Sequence, residues 1–538
     1  MTTIATAAAE WIAHDPDPQT AAELSACSPE ELDRRFSNPL RFGTAGLRGP
    51  LRGGPDAMNL AVVVRATWAL AQVLKDRGLG GYHVVVGRDA RHSSDEFALA
   101  TAEVLAAEGF NVLLMVAAVP TPVTAYTVRH LPAAAGVQIT ASHNPPTDNG
   151  YKVFLDGGVQ IISPVDREIE AAMARAPHAD EIRRAPVQTG GLGQIHHYTE
   201  RAARVRRSSG SVRVALTPLH GVGGEYALDA LALAGFDDVH VVEEQFSPDP
   251  DFPTVRFPNP EEPGAVDALL ALADEVDAEI AIALDPDADR CAVGVPGPDG
   301  WRMLTGDETG WLLGDYILSQ FEPGPVSEAA LVASTVVSSR MLAAIAAAHD
   351  AQHAETLTGF KWLARAQSPG NTLVYAYEEA IGHCVDPASV RDKDGISAAV
   401  LAADLVAALR GQGRTMLDAL DALAKVHGVH VTGAVSRQVD DAEAAMTRLR
   451  GAPPTELAGI AVTVEDLLAR DGQQRTDALI FTGEDAGTSV RVVVRPSGTE
   501  PKLKSYTEVR CAPTDDLDSA RAHAKMLSQV LADAAARW

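Results

Sequence analysis

The stretches MNLAVVVRATWALAQVLKDRG at 58–78 and YHVVVG at 82–87 decide the expected fold of this 538-residue chain. Apolar residues recur at helical spacing in the first stretch, and a basic turn with a glycine ends it, which predicts a helix. The second stretch is a short β-branched run, which predicts a buried strand. The alternation continues through a helix at 95–109, a strand at 111–115 and a helix at 121–130. This order indicates a mostly parallel α/β sheet.

The rest of the chain predicts further units. Its length exceeds the size at which one hydrophobic core keeps growing, so several domains are expected. The strands VRVALTP and AEIAIAL indicate a second α/β unit, EAALVASTV begins a third, and the longer strands around SVRVVVR indicate a final α+β unit. The expected fold class is therefore α/β, with three similar mixed domains and a C-terminal α+β domain, at residues 1–208, 209–324, 325–429 and 430–538.

Charge and composition exclude several classes of protein. A formal charge of -27 repels nucleic acid and anionic membranes, so an anionic substrate needs a local basic pocket. The four cysteines lie far apart without C-x-x-C spacing, which predicts neither a zinc site nor a disulfide framework. The N-terminus lacks the basic region of a signal peptide, and no window supplies the roughly 20 apolar residues of a membrane span. We therefore expect a cytoplasmic enzyme.

The segment ITASHNPPTDNGYKVF at 139–154 presents a candidate nucleophile. Ser142 follows a predicted strand beside His143, in a loop held by prolines, which favours presentation for reaction. A serine hydrolase would need G-x-S-x-G, and neither glycine is present here. Lys152 could reach back as a proton-transfer group. An ordinary turn serine and a solvated lysine are the alternatives.

The loop LDPDADRCAVGV at 284–295 presents a candidate metal site. Asp285, Asp287 and Asp289 alternate along it and form a hard oxygen cluster for Mg²⁺ or Ca²⁺. An EF-hand would need glycine where Arg290 stands. Three protein ligands suit Mg²⁺, which usually completes its coordination with water or phosphate oxygens. A solvated acidic turn is the alternative.

The segment VRPSGTEPKLKSYTEV at 494–509 supplies the local basic pocket. A strand leads into a Ser-Gly-Thr turn, whose amides, hydroxyls and neighbouring guanidinium can cradle a dianion. A plain hairpin turn is the alternative. The cradle residues are Arg495, Ser497, Gly498 and Thr499.

Three weaker segments complete the set of motifs. RFGTAGLRG at 41–49 is a glycine-rich turn that carries Arg48. In LTGFKW and YEEAIGH, Lys361 can bind a phosphate, and Glu378 and Glu379 can accept hydrogen bonds from sugar hydroxyls. Glutamate pairs also commonly face solvent. TPLHGVGGEY at 217–226 suggests a dinucleotide fold, but tyrosine replaces the last glycine of G-x-G-x-x-G, so we interpret it as a strand-to-helix turn.

Taken in order, FGTAGLRG, TASHNPPTDNGYKVF, DPDADR, TGFKW, EEAIGH and RPSGTEPK resemble the α-D-phosphohexomutase family, which contains phosphoglucomutases and phosphomannomutases. The resemblance implies four domains around a central cleft. It implies an intramolecular phosphotransferase that interconverts hexose 1-phosphate and hexose 6-phosphate through a phosphoserine and a bisphosphate. Mg²⁺ and, as activator, glucose 1,6-bisphosphate or an equivalent follow from the same resemblance.

The resemblance also implies roles for individual residues. Ser142 would be the phosphoserine and would ligate Mg²⁺ together with Asp285, Asp287 and Asp289. Lys152 and His143 would serve proton transfer, with Arg48 and Arg290 facing the same centre. Substrate binding would fall to Glu378 in the sugar loop and to the cradle residues Arg495, Ser497, Gly498 and Thr499. The chemistry of their side chains adds Lys361 and Glu379 as further candidates for substrate binding.

One departure from the family pattern leaves the sugar open. Family members acting on glucose or mannose phosphates often carry Glu-x-Ser in the sugar loop, where this chain has Glu378-Glu379-Ala380. TGFKW with EEAIG is more similar to the branch of phosphopentomutase-type and glucose 1,6-bisphosphate synthase-type proteins and bacterial relatives called phosphomannomutases. We expect glucose or mannose phosphate as substrate. A phosphopentomutase, a bisphosphate synthase, a phosphatase and an inactive sugar-phosphate-binding protein are the alternatives, and the chain would be a monomer or a homodimer.

Overall fold

The computed structural model describes residues 4–43, 46–322, 329–497 and 502–538. The chain divides into two compact units. Unit 1 comprises Met1–Met303 and Gly382–Ala407, and unit 2 comprises Leu304–Ile381 and Ala408–Trp538. None of the helices in the described ranges combines the length and the apolar character that crossing a membrane requires.

Unit 1 alternates helices and strands along most of its length. Its helices, including two short 3₁₀ turns, are Ile4–Ala13, Pro18–Ser25, Pro29–Ser37, Leu60–Asp76, Ser94–Ala107, Thr121–His130, Asp156–Gly158, Val165–Met173, Ala179–Glu181, Leu192–Ala203, Gly223–Ala234, Glu243–Phe246, Asp267–Glu275 and, up to Ala407, Gly395–Arg410. Its strands are Leu47–Pro50, His83–Arg88, Asn111–Met115, Ala135–Ile139, Asp148–Leu155, Val159–Gln160, Thr189–Gly190, Val214–Thr217, Val239–Val241, Ile280–Leu284, Cys291–Gly297, Gly300–Met303 and Gly382–Cys384.

The first sheet of unit 1 is mixed. His83–Arg88 pairs in parallel with Asn111–Met115 on one side and with Ala135–Ile139 on the other. Asp148–Leu155 then runs antiparallel to Ala135–Ile139, and Leu47–Pro50 runs antiparallel to Asp148–Leu155. The parallel core agrees with the expectation from the sequence. The antiparallel edge arises because the short loop at 140–147 returns the chain directly, whereas a parallel neighbour needs a long crossover.

The helix Leu60–Asp76 forms much of the core beneath this sheet. Asn59 caps it by accepting a hydrogen bond from the amide of Val62, so the helix begins two residues later than the sequence pattern suggested. Its apolar residues are almost all buried, and they pack with Val84 and Val86 of the adjacent strand. The helix is therefore buried on more than one side, as expected for a helix that is apolar over most of its surface.

The second sheet of unit 1 has a parallel centre and an antiparallel edge. Ile280–Leu284 pairs in parallel with Val214–Thr217, which pairs in parallel with Val239–Val241. On its other side Ile280–Leu284 pairs antiparallel with Cys291–Gly297. The acidic loop at 285–290 therefore connects these two strands at the carboxyl end of a fully buried strand.

Unit 2 combines a parallel sheet with an antiparallel one. Its helices, with two 3₁₀ turns, are Gly306–Ser319, Met341–Ala348, Phe360–Leu363, Met416–His427, Ala442–Gly451, Leu467–Ala469, Gly472–Gln474 and Leu517–Ala535. Its strands are Ala329–Thr335, Gln352–Thr356, Asn371–Glu378, Val429–Gln438, Glu456–Leu457, Ile460–Ala461, Thr463–Asp466, Leu479–Asp485, Thr488–Pro496 and Lys502–Cys511.

Ala329–Thr335 lies between Gln352–Thr356 and Asn371–Glu378, and both pairings are parallel. The C-terminal sheet is antiparallel, with Lys502–Cys511 between Val429–Gln438 and Thr488–Pro496. The expected fold class, α/β domains followed by an α+β domain, is thus confirmed. The four domain boundaries and the arrangement around a central cleft stay predictions.

Replacement of Leu70 by alanine tests the core of the first sheet. Leu70 is fully buried in the helix Leu60–Asp76, so Leu70→Ala should destabilise the fold by about 2–5 kcal/mol through lost burial and the cavity left behind. Urea denaturation followed by circular dichroism measures the shift in midpoint. The control is Leu99→Ala, because that side chain is 41% exposed. Equal midpoints for the two variants would contradict this account of the core.

Candidate active site

Ser142 lies in the turn that follows the strand Ala135–Ile139. Its φ of 54° is in the left-handed region, which is unusual for serine, and its amide donates a hydrogen bond to Thr140 Oγ1 at 2.9 Å. This turn directs the buried hydroxyl toward the acidic loop. Ser142 Oγ donates to Asp285 Oδ2 at 2.8 Å and lies 3.0 Å from His143 Nδ1.

The guanidinium of Arg91 binds the backbone of the serine loop, residues 140–147, and of the strand that follows it. Arg91 Nη2 donates to the carbonyl oxygens of Ser142 and Asn144, both at 2.6 Å. Its Nη1 donates to the carbonyl oxygens of Pro145 at 2.7 Å and Asp148 at 3.2 Å. Four backbone acceptors on one rigid planar group fix the shape of the loop. This geometry agrees with a structural role for Arg91 rather than a catalytic one.

The three predicted metal ligands come together in the acidic loop. Asp285, Asp287 and Asp289 are each at most 1% exposed, and one carboxylate oxygen from each lies within 4.8 Å of the others. Burial and the charges of its two neighbours raise the pKa of Asp285 well above its ordinary value. Three carboxylates so close together in a dry site repel one another unless cations compensate them.

The glycine turn that suggested a dinucleotide fold packs under this loop. The amide of Val222 donates to the carbonyl oxygen of Pro286 at 2.9 Å. A β-carbon on Gly221 would lie 2.3 Å from Pro286 Cα, so only glycine lets the two turns approach this closely. The turn is therefore a packing surface for the acidic loop, which explains its small residues without a cofactor.

Two lysines compensate part of the negative charge. Lys152 Nζ lies 2.6 Å from Asp287 Oδ2 and 2.8 Å from Asp289 Oδ2, and Lys393 Nζ lies 3.3 Å from Asp289 Oδ2. Burial alone would lower the pKa of Lys152, but Asp287 and Asp289 raise it, so the ammonium form persists. Thr121 Oγ1 also donates to Asp287 Oδ2. Asp287 and Asp289 thus each turn Oδ2 to protein donors. Both oxygens of Asp285 accept hydrogen bonds, Oδ1 from the amide of Arg290 at 3.0 Å and Oδ2 from Ser142 Oγ.

The remaining oxygens fit a divalent cation. Among the described residues, Asp287 Oδ1 and Asp289 Oδ1 are buried and have no hydrogen-bond partner. An unpartnered buried carboxylate oxygen is costly in the absence of a cation. Oxygen-only ligands in this number are the donor set of Mg²⁺. The acidic loop is therefore a candidate site for a divalent metal. The Ser142 hydroxyl donates a hydrogen bond to Asp285, the first aspartate of this loop.

The other residues predicted for this centre lie around it. Arg48 Nη1 donates to Asn144 Oδ1 at 3.0 Å, and Arg290 Nε lies 3.9 Å from Asp289 Oδ1. Burial, followed by the charges of Arg290 and Arg48, lowers the pKa of His143 well below its usual value. Its imidazole is therefore neutral. Unit 1 thus brings together every residue that the sequence placed at the catalytic centre.

The predicted sugar loop belongs to unit 2. Glu378 ends the strand Asn371–Glu378 and is buried, and Lys361 lies buried in the short helix Phe360–Leu363. The Glu379 side chain binds the turn that follows the strand Ala329–Thr335. Its Oε2 accepts hydrogen bonds from Thr335 Oγ1 and Ser338 Oγ, both at 3.0 Å. The two neighbouring glutamates therefore have different surroundings.

The predicted phosphate cradle is described in part. Arg495 lies near the end of the strand Thr488–Pro496, with its guanidinium carbon 5.9 Å from the centre of the Tyr506 ring. The amide of Ser497 donates to the carbonyl oxygen of Lys502 at 2.8 Å and so joins the two strands. Burial, and then the charges of Glu379 and Glu378, raise the pKa of Tyr506. Glu378 and Glu379 therefore lie close to Tyr506 of the strand Lys502–Cys511, within unit 2. Gly498 and Thr499 lie outside the described residues.

Lys393 is the site residue that the sequence motifs missed. It stands in the run Asp392-Lys393-Asp394, whose three charged side chains are all buried. Gln160 Nε2 donates to Asp392 Oδ2, and Tyr198 OH donates to Asp394 Oδ1, each at 2.7 Å. The signal available in the sequence was a charged triplet directly before the strongly apolar helix Gly395–Arg410. Charged residues next to a buried helix are themselves buried only when they are paired, so the triplet indicated oppositely charged partners nearby.

Comparisons with known proteins agree with this geometry. Four consecutive domain descriptions match the chain: phosphoglucomutase/phosphomannomutase alpha/beta/alpha domains I, II and III at residues 39–180, 195–297 and 305–426, and the C-terminal domain at 452–518. The chain belongs to the phosphoglucomutase/phosphomannomutase family. Membership confirms the resemblance and the expected class of enzyme, an intramolecular phosphotransferase.

Several members of the phosphoglucomutase/phosphomannomutase family are similar over most of the chain. A Haemophilus influenzae protein named "Probable phosphomannomutase" is 41% identical, covering 86% of this chain and 95% of the relative. The Mus musculus phosphopentomutase is 35% identical (95% and 90% covered), and the Homo sapiens glucose 1,6-bisphosphate synthase is 32% identical (96% and 91% covered). The crystal structure of a phosphoglucomutase/phosphomannomutase family protein from Burkholderia thailandensis shares the fold, with a TM-score of 0.69 at 22% identity, covering 92% of this chain and 97% of that one.

Titration with Mg²⁺ tests the acidic loop of this family member. The full chain should bind Mg²⁺ in a calorimetric titration after treatment with a chelator. Asp287→Asn and Asp289→Asn should each weaken binding by roughly 10- to 100-fold, because each removes an anionic oxygen ligand while keeping its shape. Asp251→Asn is the matched control, since its side chain is 74% exposed. Equal Mg²⁺ affinity in all four proteins would contradict the assignment of the site.

Proposed function

We propose that this chain interconverts the 1-phosphate and the 6-phosphate of an aldohexose, glucose or mannose, through phosphorylation of Ser142. The observation that carries the proposal is the 2.8 Å hydrogen bond from Ser142 Oγ to Asp285 in the buried acidic loop. It joins a nucleophilic hydroxyl to a candidate metal site. A phosphoryl group on that oxygen would sit beside the loop, which is the arrangement that phosphoryl transfer requires.

The residues of unit 1 at this centre would have three roles: metal binding, orientation of the aspartates and proton transfer. Asp285, Asp287 and Asp289, with Ser142, would hold Mg²⁺, which when bound neutralises charge on the transferring phosphoryl group. Lys152 keeps Asp287 and Asp289 ionised and oriented through its two short contacts. His143 Nδ1, 3.0 Å from Ser142 Oγ, is within reach to accept the proton of that hydroxyl as the phosphoryl group returns.

The residues of unit 2 would bind the rest of the substrate. Arg495 and Ser497, with Gly498 and Thr499, would hold the phosphate that does not react, because a planar guanidinium and turn donors suit a dianion. Glu378 would accept hydrogen bonds from sugar hydroxyls, and Lys361 would add a positive charge. Each turnover passes through a bisphosphate, so glucose 1,6-bisphosphate or an equivalent would serve as activator.

A second candidate function uses the same residues on another substrate. The similarity to proteins named phosphopentomutase and glucose 1,6-bisphosphate synthase covers nearly the whole chain, and Ala380 replaces the serine often found in the sugar loop. Loss of that hydroxyl removes one hydrogen bond to the sugar. The chain would then discriminate less strictly between sugars and could accept a smaller sugar such as a pentose. Partners are small sugar phosphates in either case. The cytoplasmic location and the monomeric or homodimeric state stay predictions.

Replacement of the serine tests the phosphoserine directly. Ser142→Ala should lower mutase activity by at least about 10⁴-fold, because it removes the hydroxyl that would carry the phosphoryl group. Ser25→Ala is the control, since that exposed serine only bonds within its own helix. Intact-mass measurement after incubation with glucose 1,6-bisphosphate should show one added phosphoryl group in the control and none in Ser142→Ala. Normal turnover by Ser142→Ala would defeat the proposal.

The choice of sugar is tested by kinetics on one preparation. With Mg²⁺ and a trace of bisphosphate, kcat/KM for glucose 1-phosphate or mannose 1-phosphate should exceed that for ribose 1-phosphate and glucosamine 1-phosphate by at least about 10-fold. A preference for ribose 1-phosphate would make the chain a phosphopentomutase, and accumulation of bisphosphate would make it a synthase. Inertness toward all four sugars would leave a binding protein as the better account.

A further inference from the structure

Two carboxylates of unit 2 are bound by one turn, at residues 335–340, which follows the strand Ala329–Thr335. On one side of the turn, Thr335 Oγ1 and Ser338 Oγ both donate to Glu379 Oε2 at 3.0 Å. The amide of Ser338 donates to Thr335 Oγ1 at 3.2 Å, which holds the two hydroxyls together. Thr335 and Ser338 are at most 4% exposed, so the two donor hydroxyls are shielded from bulk water.

On its other side the same turn binds Glu508, a residue of the strand Lys502–Cys511. Glu508 Oε1 accepts from Ser339 Oγ at 2.7 Å and from the amide of Arg340 at 2.9 Å, and Arg340 Nε donates to Oε2 at 2.6 Å. His430 Nδ1 lies 2.8 Å from Glu508 Oε1. The turn is therefore fixed in place by a carboxylate whose hydrogen-bonding capacity is largely used.

A third carboxylate fixes the position of the turn relative to the helix Gly306–Ser319. The amide of Ser339 donates to Asp307 Oδ1 at 2.9 Å, and Tyr377 OH donates to the same oxygen at 2.8 Å. A β-carbon on Gly306 would lie 2.0 Å from the carbonyl oxygen of Glu379. The sugar loop is thus confined between the start of a helix and the turn that holds its second glutamate.

The register of the parallel sheet explains why these groups meet. Ser334 pairs with Tyr377, so Thr335 and Glu378 leave their strands at the same edge. Glu378 and Glu379 are neighbours in sequence, and the carboxylate of Glu379 binds the turn hydroxyls. A carboxylate oxygen that already accepts two hydroxyl protons is poorly placed to accept further bonds from a sugar.

We infer that Glu379 is a positioning residue: its carboxylate, held by Thr335 and Ser338, fixes the backbone of the sugar loop so that Glu378 meets the substrate. The inference rests on the proposed function and refines it, because it removes Glu379 from the set of sugar ligands. With Ala380 also unable to donate or accept through its side chain, the loop then contacts the sugar through one carboxylate. Such a loop distinguishes fewer hydroxyls than one with two polar contacts.

A double-mutant cycle on the full chain tests this role. Glu379→Gln should lower kcat/KM by about 10-fold, because two hydrogen bonds to a charged group are weakened. The pair Thr335→Val with Ser338→Ala should cause a similar loss. All three changes together should cost no more than about twice either one, since each removes the same interaction. Independent effects would instead multiply to about 100-fold and would overturn the inference.

Two further measurements separate positioning from direct contact with the sugar. The loss in Glu379→Gln should be the same, within about twofold, for glucose 1-phosphate and mannose 1-phosphate, because a positioning residue does not meet the hydroxyl in which they differ. A loss confined to one sugar would show direct contact. The conservative pair Thr335→Ser and Ser338→Thr keeps both hydroxyls and should retain activity near that of the unchanged chain.

The control is Ser334→Ala. Ser334 is buried in the same strand, one residue before Thr335, and its hydroxyl lies 2.9 Å from His353 Nε2 outside the Glu379 cluster. Combining it with Glu379→Gln should give simple multiplication of the two effects. Coupling of Ser334→Ala to Glu379→Gln as strong as that of the turn hydroxyls would overturn the specific role of the turn. Failure of the unchanged chain on every sugar phosphate would instead defeat the proposed function, so the two failures are distinguishable.

Discussion

The crowding of three buried carboxylates beside one hydroxyl is the constraint on which the rest of this site depends. Asp285, Asp287 and Asp289 carry like charges at a distance where water would normally screen them, and burial removes that water. Lys152 and Lys393 compensate part of the charge from one side. The unpartnered oxygens on the other side leave a place that a divalent cation satisfies. The acidic loop is therefore a candidate site for a divalent metal beside a nucleophilic hydroxyl.

The fold makes this crowding possible by ending strands at one place. The serine turn and the acidic loop each follow a strand that has one parallel neighbour in a mixed sheet, and they leave it at the carboxyl end, where ligand-binding loops of α/β folds lie. Close approach of these loops needs residues without side chains. Gly221 lies against Pro286, and Gly395 donates its amide to the carbonyl oxygen of Ala288. The lack of a side chain at these two glycines thus lets the neighbouring backbone pack closely against the acidic loop.

Unit 2 uses carboxylates differently. Glu379 Oε2 accepts hydrogen bonds from two hydroxyls of one turn, and Glu508 accepts from a hydroxyl, an amide and the guanidinium of the same turn. Carboxylates that are held in this way fix local geometry. The contrast with the acidic loop of unit 1 lies in the donors: Asp287 and Asp289 each retain one buried oxygen without a hydrogen-bond partner, whereas donors of the turn converge on the glutamates. Carboxylates would therefore hold a metal ion in unit 1 and position a loop in unit 2.

The amino-acid sequence alone determined the periodicity of helices and strands and the motifs at the strand ends. From these, the fold class, Ser142, the three aspartates and Lys152 could be predicted, because each depends on residues that are near one another in the chain. Tertiary structure alone decided which donors meet which carboxylates. Lys393 lies more than a hundred residues from Asp289, and Thr335 lies far in sequence from Glu379, so no local pattern reveals either pair. Adjacent glutamates acquire different surroundings only when the sheet brings one of them to a distant turn, since long-range contacts are set by topology and not by spacing along the chain.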